Sequence, residues 1–328
     1  MKRDTLRCLA GLALAAALAA CSALVQAQTK LKWAHVHEPH EPFHRHARWA
    51  AEEIARRTAG QVQVEVFPAG ALGQEPELHP AMALGTVDIV HTGLPFAGRV
   101  HPPLLVAAAP YAFRDVAHWE AFRAGPLFRE LAQQYEAKGG GHHVAGLAYA
   151  GQRHLTARQP VQAPEDLRGV KLRVPDAALY RFFPDALGAE PTPVPYPALY
   201  VALKEGVVQA QENPLAAIES LRLHEVQDVL VLTGHAVDAI VTLVAAGTWS
   251  KLGEPERKVL DEVLWEAATR AGQEVQQREG AIAADLEKRG MTVVRPDRAP
   301  FIRAVHEALG KADTPWPKPL FERVQALR

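Results

Sequence analysis

Hydrophobic and polar residues follow two alternating periods in the first third of the chain. A short apolar run at residues 31–34 predicts a strand, and apolar residues recur at helical spacing over residues 43–55. The period changes to two at residues 62–66, and a helix at 76–84 and a strand at 87–90 are then predicted. The order strand, helix, strand, helix, strand is typical of a doubly wound domain, in which ligands bind at the carboxyl ends of the strands.

A similar alternation recurs farther along the chain. A helical region at 116–138 is followed by three glycines and an apolar strand at 144–150. A second α/β set is predicted by a strand at 170–174, helices at 177–187 and 197–203, a strand at 207–211 and a helix at 215–223. The fold class is therefore α/β with largely parallel strands, and two such sets imply two lobes with a cleft between them.

One helical pattern is much longer than the others. It covers residues 251–289, with Pro255 in its first turn and Gly272 and Gly280 as expected bend points. At about 1.5 Å per residue, such a helix is long enough to span both lobes.

Composition and charge restrict the function only loosely. The chain has 328 residues, of which 48% are hydrophobic and 22% are charged, and its formal charge is −1. Without residues 1–27, 33 basic residues (36 minus Lys2, Arg3 and Arg7) face 36 acidic residues (37 minus Asp4), which gives −3. We expect a globular protein that does not bind nucleic acid.

The N-terminus predicts export. Basic residues precede an apolar block at residues 9–20 that is too short to span a bilayer, so residues 1–27 are interpreted as a signal peptide. Two processing sites remain open: cleavage after Ala27, or lipidation of Cys21 as a membrane anchor. Cys8 is lost in both cases, so cysteine chemistry is not expected to matter in the mature protein.

Two polar segments carry the candidate binding chemistry: residues 170–175 (VKLRVP) and residues 211–214 (QENP). Arg173 lies on the polar face of a short strand that ends at Pro175, where its planar guanidinium can donate two parallel hydrogen bonds to a carboxylate. Asn213 is a neutral donor in a predicted strand-to-helix turn, whereas Glu212 is expected to brace that turn. The alternatives are a solvated Arg173 and an asparagine that only caps a helix.

These two segments, at their observed separation, resemble the solute-binding subunits (DctP type) of tripartite ATP-independent periplasmic (TRAP) transporters. The resemblance covers nearly the whole mature chain and implies a two-lobed periplasmic-binding-protein fold. We predict one lobe from residues 28–150 plus about 239–278, and the other from 151–238 plus about 279–328. The family is not enzymatic, so no cofactor and no catalytic residue are expected.

The resemblance adds two candidate ligand contacts. Arg153, in the segment AGQRHLT, matches a second ligand-binding arginine of the family, although Ala150 replaces a polar residue there. Tyr196 occupies the place of an aromatic wall against the ligand. A surface ion pair for Arg153 and core packing for Tyr196 remain alternative interpretations.

A cluster of histidines follows the first strand. His35 and His37 are candidate contacts at the rim of the cleft, with a solvated helix start or a Zn²⁺ site as alternatives. Metal-dependent relatives carry a tryptophan after the glutamate that corresponds to Glu212, whereas this chain has Asn213, so no metal is predicted.

The combined prediction is a periplasmic, monomeric protein that binds a small organic acid, such as a C4-dicarboxylate or a sugar acid, and delivers it to TRAP permease subunits. Two alternatives remain: an exported hydrolase or isomerase that uses Glu212 and His235 as an acid/base pair, and a ligand sensor that presents its closed lobes to a receptor. The sequence does not identify the acid.

Overall fold

The computed structural model describes residues 28–328. The signal peptide and its alternative processing at Ala27 or Cys21 lie outside the described residues. Nine strands are present in this range: β1 Thr29–Ala34, β2 Val62–Phe67, β3 Ile89–Gly93, β4 His143–Ala157, β5 Lys171–Val174, β6 Glu190–Pro193, β7 Ala210–Pro214, β8 Val229–Val244 and β9 Thr292–Val294.

Twelve α-helices accompany these strands in the described chain. They are α1 Pro42–Arg57, α2 Glu75–Ala83, α3 Leu94–Ala97, α4 Val116–Ala124, α5 Pro126–Lys138, α6 Ala178–Ala186, α7 Leu199–Lys204, α8 Leu215–Ser220, α9 Ala246–Lys251, α10 Glu254–Lys288, α11 Ala299–Lys311 and α12 Lys318–Gln325. Short 3₁₀-helices cover Pro102–Ala108, Pro164–Leu167, Tyr196–Ala198 and Leu223–Glu225.

The strands form one mixed sheet in the order β2-β1-β3-β8-β4-β7-β5-β6, with β9 beside β8. The β1–β3 strands are mutually parallel, as are β5–β7, and the long strands β4 and β8 run antiparallel to each other between the two groups. Separate clusters of buried side chains surround the two ends of the sheet, for example those of Trp33 and Ile54 at one end and Leu199 and Ile218 at the other. The α/β class and the two-lobed architecture are therefore confirmed.

The predicted β-α-β-α-β order of the first ninety residues is confirmed by β1, α1, β2, α2 and β3. Helix α1 buries Ala47, Ala50 and Ile54, because their helical spacing places them on one face. Its start is less regular: Pro42 occupies the first turn, where no backbone N–H is needed.

The helical region predicted at 116–138 has these bounds but is divided into two helices, because Gly125 adopts an extended conformation (φ −80°, ψ 172°) between α4 and α5. Two other predicted element boundaries are wrong. The apolar strand predicted at 144–150 continues to Ala157, so Arg153 lies on strand β4. The QENP segment was predicted as a turn but forms strand β7.

Burial between neighbouring strands explains the β7 segment. Gln211 and Asn213 are almost fully buried, and β7 pairs with β4 on one side and β5 on the other. Backbone pairing in the sheet therefore outweighs the local turn preference of these polar residues.

The long helix is confirmed as α10, a single helix of 35 residues that spans about 52 Å. It packs against β4, α1 and α8. Gly272 lets the helix approach the sheet closely, because a Cβ atom there would lie 2.9 Å from the backbone nitrogen of Tyr149. None of the helices in residues 28–328 combines the length and apolarity needed to cross a membrane.

The C-terminal helix α12 packs against the β1–β3 end of the molecule. Leu320 and Val324 share a buried cluster with Phe122 and Trp119, and His118 Nε2 lies 2.8 Å from the carbonyl oxygen of Val324. The lobe boundaries given above remain a prediction.

Candidate functional site

A cavity of about 360 Å³ lies between the two ends of the sheet. Its walls come from segments that follow or end parallel strands, as expected for a doubly wound fold. His37 follows β1, Glu75 begins the helix after β2, Arg173 lies near the end of β5, Tyr196 follows β6 and Asn213 lies at the end of β7.

Arg173 provides the free cationic donor of this cavity. Its side chain is fully buried, and its Nε and Nη2 donate hydrogen bonds to the carbonyl oxygen of Val194 at 2.8 and 2.6 Å. Nη1 has no hydrogen-bond partner among the described residues. A guanidinium carries five N–H bonds in a fixed plane, so the end-on pair formed by Nη1 and the second hydrogen of Nη2 is free for a carboxylate.

Burial also affects the charge of Arg173. Burial is the main cause that lowers the pKa of the guanidinium to about 10; the charge of Glu212 opposes this shift, and the positive charge of Arg153 adds to it. A pKa of about 10 still leaves the group cationic at neutral pH. Arg173 is therefore buried, charged and incompletely hydrogen-bonded. An anionic ligand would supply both the missing hydrogen-bond acceptors and the opposite charge.

Arg153 lines the same cavity, but most of its donors are occupied. Nε donates to the Glu212 carboxylate, Nη1 to Asp238, and Nη2 to Oε1 and to the backbone oxygen of Glu212, both at 2.8 Å. The ring of Tyr180 lies 4.7 Å from its guanidinium carbon. Burial alone would lower the pKa of Arg153, but the charges of Glu212 and Asp238 outweigh it and raise the pKa. Four of its five N–H bonds are thus used inside the protein.

Asn213 presents an amide to the cavity. Its Nδ2 donates to Oε1 of Gln211 at 2.6 Å, and its Oδ1 lies 3.4 Å from Nη2 of Arg153. Asn213 does not cap helix α8, whose N-cap residue is Pro214 and has no side-chain cap. One N–H bond of the amide therefore remains available to a ligand oxygen.

Glu212 braces the site, as the sequence suggested, although it does so on a strand rather than in a turn. Both of its carboxylate oxygens accept from Arg153, and Nε2 of His235 lies 3.2 Å from Oε2. The His235 ring stacks on Phe183 with 3.8 Å between centroids. Burial would raise the pKa of Glu212, but the charge of Arg153 outweighs it and lowers the pKa.

Tyr196 and His37 meet at one carboxylate. The hydroxyl of Tyr196 donates to Oε1 of Glu41 at 3.0 Å, and Nδ1 of His37 lies 3.1 Å from Oε2. Burial alone would lower the pKa of His37, but the hydrogen bond and charge of Glu41 outweigh it and raise the pKa. Glu41 therefore fixes both Tyr196 and His37 at the cavity wall and favours the protonated form of His37.

His35 is not among the residues that line the cavity. It is 1% exposed, and its Nε2 lies 3.2 Å from Nδ1 of His44. Its pKa is lowered by burial first and by the neighbouring histidines second. Five of the six predicted site residues thus lie at the cavity, and His35 lies behind it.

The rest of the histidine cluster is dispersed. His40 pairs with Ser220 at 2.9 Å, and His46 with Glu274 at 3.0 Å. Across residues 28–328, the structure holds no group of three or more histidine, cysteine or acidic residues arranged to bind a metal ion.

Sequence reasoning missed several residues of the cavity wall, among them the polar residues Glu41, Glu75, Tyr180 and Asp238. Two of them carried a usable signal. Asp238 is the one acidic residue in the apolar run of residues 229–244, and Glu75 follows shortly after a strand with its carboxyl end at the ligand side of the sheet. Tyr180 lies within a predicted helix, where an aromatic residue is expected in the core.

Comparison with known families gives one match that covers most of the chain. The model of "Bacterial extracellular solute-binding protein, family 7" (DctP) matches residues 33–313.

Individual relatives are similar over nearly their whole length. A solute-binding protein of Roseobacter denitrificans is 36% identical over 304 residues, which are 92% of each chain. The 2,3-diketo-L-gulonate-binding periplasmic protein of Escherichia coli is 27% identical and covers 88% of each chain.

Solved structures show the same fold. A TRAP periplasmic solute binding protein from Roseobacter denitrificans with bound L-galactonate has a TM-score of 0.85 at 31% identity, covering 92% of this chain and 98% of that one. One from a Polaromonas species, bound to D-erythronate, has a TM-score of 0.86 at 28% identity, covering 92% and 99%.

Proposed function

Because the chain belongs to the DctP family of bacterial extracellular solute-binding proteins, the solute-binding subunits of TRAP transporters, we propose that it captures a small organic acid outside the cytoplasm. The acid is held by its carboxylate in the cleft between the lobes and is delivered to the membrane permease of a TRAP transporter. The protein acts as a monomer in the periplasm, to which the N-terminal signal directs it.

The observation that carries this proposal is the free donor pair of Arg173. A fully buried guanidinium whose Nη1 lacks a partner is costly unless a ligand completes its hydrogen bonds. A carboxylate matches the spacing and the charge of the two free N–H bonds. Asn213 lines the same cavity, and its amide can donate a hydrogen bond to another oxygen of the ligand.

The relatives support an acid as the ligand. The names of similar proteins include L-galactonate, D-erythronate and 2,3-diketo-L-gulonate, all of which carry a carboxylate. A carboxylate is therefore the feature that this chain is proposed to recognise, through Arg173 and not through a metal or a cofactor.

Binding, rather than catalysis, follows from how the remaining polar groups are used. The Glu212 and His235 pair of the enzymatic alternative is tied into the Arg153 network, with both Glu212 oxygens accepting from Arg153. In the proposed mechanism, the free energy of binding is used to hold the lobes closed around an unchanged ligand.

The test is calorimetry and thermal unfolding of the protein lacking residues 1–27, with a panel of aldonates, uronates, C4-dicarboxylates and aliphatic acids. We expect at least one acid to bind with a 1:1 stoichiometry and a Kd in the micromolar range, about −8 kcal/mol. At one hundred times its Kd, that acid adds about 2.7 kcal/mol to the free energy of unfolding.

Mass spectrometry of the recovered ligand separates binding from turnover. An unchanged ligand after prolonged incubation is expected, whereas conversion to a product would support the hydrolase or isomerase alternative. If no carboxylic acid in the panel binds, the proposed function is wrong.

A further inference from the structure

Glu75 presents a carboxylate to the cavity that the capture of a carboxylate ligand does not use. Its Oε1 accepts hydrogen bonds from the backbone nitrogen of Gly93 at 2.9 Å and from Oγ1 of Thr92 at 3.1 Å. Among the described residues, no hydrogen bond to Oε2 is formed. Glu75 is therefore fixed in position, with an acceptor left over at the cavity wall.

Asp238 presents a second carboxylate at the same cavity. Oδ1 accepts from the backbone nitrogen of Ala239 at 3.1 Å, and Oδ2 accepts from Nη1 of Arg153 at 2.5 Å. Each carboxylate oxygen has two lone pairs, so Asp238 can accept further hydrogen bonds from a ligand. Both carboxylates can therefore accept hydrogen bonds from a ligand, whereas Arg173 can donate hydrogen bonds to one.

The charges around the cavity are already unfavourable for a second anionic group. Two arginines, one histidine and four carboxyl groups surround the cavity: Arg153, Arg173, His37, Glu41, Glu75, Glu212 and Asp238. Burial raises the pKa of Glu75 and of Asp238, and the charge of Asp238 raises that of Glu75 further. The two acids therefore share one field in which additional negative charge is costly.

Two further arginines line the mouth of the cavity, but both are paired with acids and open to solvent. Nη2 of Arg278 donates to Glu219, and its side chain is 50% exposed. Arg222 pairs with Glu225, and its side chain is 69% exposed. Solvent screening and these partners weaken their pull on a ligand anion.

Resting on the proposed function, we propose that Glu75 and Asp238 make the cleft selective for polyhydroxylated monocarboxylates of the aldonic-acid class. One carboxylate binds the free pair of Arg173, and ligand hydroxyl groups donate to Glu75 and Asp238. Hydroxyl groups suit these two acids because they satisfy acceptors without adding charge. A dicarboxylate of equal length places its second anion in the field of two like charges and is rejected.

An ammonium group would also satisfy an acid, but cations already face both carboxylates. Asp238 is paired with Arg153, and His37 acts on Glu75 through its charge. Hydroxyl donors are therefore the better match, and amino acids serve as a competing outcome in the test.

The experiment compares ligands that differ in one property at a time. Titration calorimetry of the wild-type protein uses the C6 aldonates D-gluconate and L-galactonate, the aldarates D-glucarate and galactarate, adipate, hexanoate and 6-aminohexanoate. We expect an aldonate to bind best, with its aldarate on the order of tenfold to hundredfold weaker. Hexanoate, which lacks hydroxyl groups, is expected to be weaker by a similar factor.

The outcomes separate this proposal from the proposed function. Preference for adipate or an aldarate, hexanoate binding equal to the best aldonate, or preference for 6-aminohexanoate would each overturn the selectivity while leaving acid capture intact. Absence of binding by every acid would instead overturn acid capture itself.

Two variants test the residues. Glu75→Gln and Asp238→Asn are each expected to reduce the ratio of the aldarate Kd to the aldonate Kd by about tenfold, because each substitution removes one negative charge. The exposed Glu52→Gln changes net charge by the same amount and is expected to leave the ratio unchanged. An unaltered ratio in both folded cavity variants would overturn their role, and the wild-type ligand series decides the selectivity even if one variant does not fold.

Discussion

The carbonyl oxygen of Val194 lies between Nε and Nη2 of Arg173, at 2.8 and 2.6 Å. This contact fixes the guanidinium plane before any ligand is present, since it uses one side of the fork and leaves the other side open. A preorganised donor pair does not lose side-chain freedom on binding, so more of the interaction energy remains as affinity.

Replacing Arg173 tests this preorganised pair. We expect Arg173→Ala to weaken acid binding by about 3 to 5 kcal/mol and Arg173→Lys by less, since lysine keeps the charge but not the fork. Titration calorimetry measures both, and Arg129→Ala, at an exposed position of α5, is the control. Equal affinity of wild type and Arg173→Ala would contradict the role of Arg173.

Removing the hydroxyl of Tyr196 tests the wall formed with Glu41. Tyr196→Phe loses the 3.0 Å hydrogen bond to Oε1 of Glu41, which also fixes His37. Because the acceptor is charged, we expect the free energy of unfolding to fall by about 1.5 to 3 kcal/mol, measured by urea denaturation, and ligand affinity, measured by calorimetry, to fall because the wall is less firmly held. Tyr200→Phe removes a similar but exposed hydrogen bond to Glu225 and should have a smaller effect on stability and none on affinity. Equal effects of the two substitutions would show that the contact is not specific to the site.

Glu212 is expected to matter for stability. Glu212→Gln leaves the buried guanidinium of Arg153 with one carboxylate partner and places an amide nitrogen against its donors. We expect a loss of about 3 to 5 kcal/mol in the free energy of unfolding, measured by urea denaturation. Glu130→Gln removes an exposed ion pair with Arg323 and should cost below about 1 kcal/mol. A loss no greater than that of this control would contradict the bracing role.

His143 should make stability depend on pH. Burial would lower its pKa, but hydrogen bonds with Asp261 and Glu136, each at 2.9 Å, raise it from 6.5 to about 9. Its stabilisation is therefore complete below pH 6.5 and is lost as the pH rises through 9. Thermal unfolding should show His143→Gln less stable than wild type near pH 6, with the difference closing near pH 10. A gap that stays constant across this range would exclude the protonated form as its source.

Two glycines in α10 form a matched pair for substitution. Gly280→Ala places a Cβ with nothing within 4 Å, so the higher helix propensity of alanine should add about 0.5 to 1 kcal/mol. Gly272→Ala places a Cβ 2.9 Å from the backbone nitrogen of Tyr149 and should cost about 1 to 3 kcal/mol. Urea denaturation measures both. If both substitutions stabilise, the close approach of α10 to β4 is not required.

The elements with strong periodicity could be predicted from the sequence, because they bury one face in the way the pattern indicates. The β1 to β3 unit and the long helix α10 are examples. Arg173 could also be placed at the cleft, since the apolar residues beside it fixed which face of β5 it occupies.

The parts that could not be predicted depend on contacts between distant residues. Arg153 meets Glu212 and Asp238 at separations of 59 and 85 residues, and no local pattern indicates these pairings. The β7 segment is polar and looks like a turn, and it becomes a strand only because β4 and β5 pair with it. Glu75 acquires its position from Thr92 and Gly93, which lie on another strand.

Strands β4 and β8 pass through both ends of the sheet, and their register shifts between Tyr149 and Gly151 and again between Arg153 and Leu155. Neither half of the molecule therefore contains all the strands with which its own strands form backbone hydrogen bonds. A fragment that stops at residue 150 would lose all of β8, which lies between β3 and β4, and would leave open strand edges that recruit other chains. The two halves of this protein, when expressed separately, should consequently aggregate. The structure of either half should therefore be studied in the intact polypeptide.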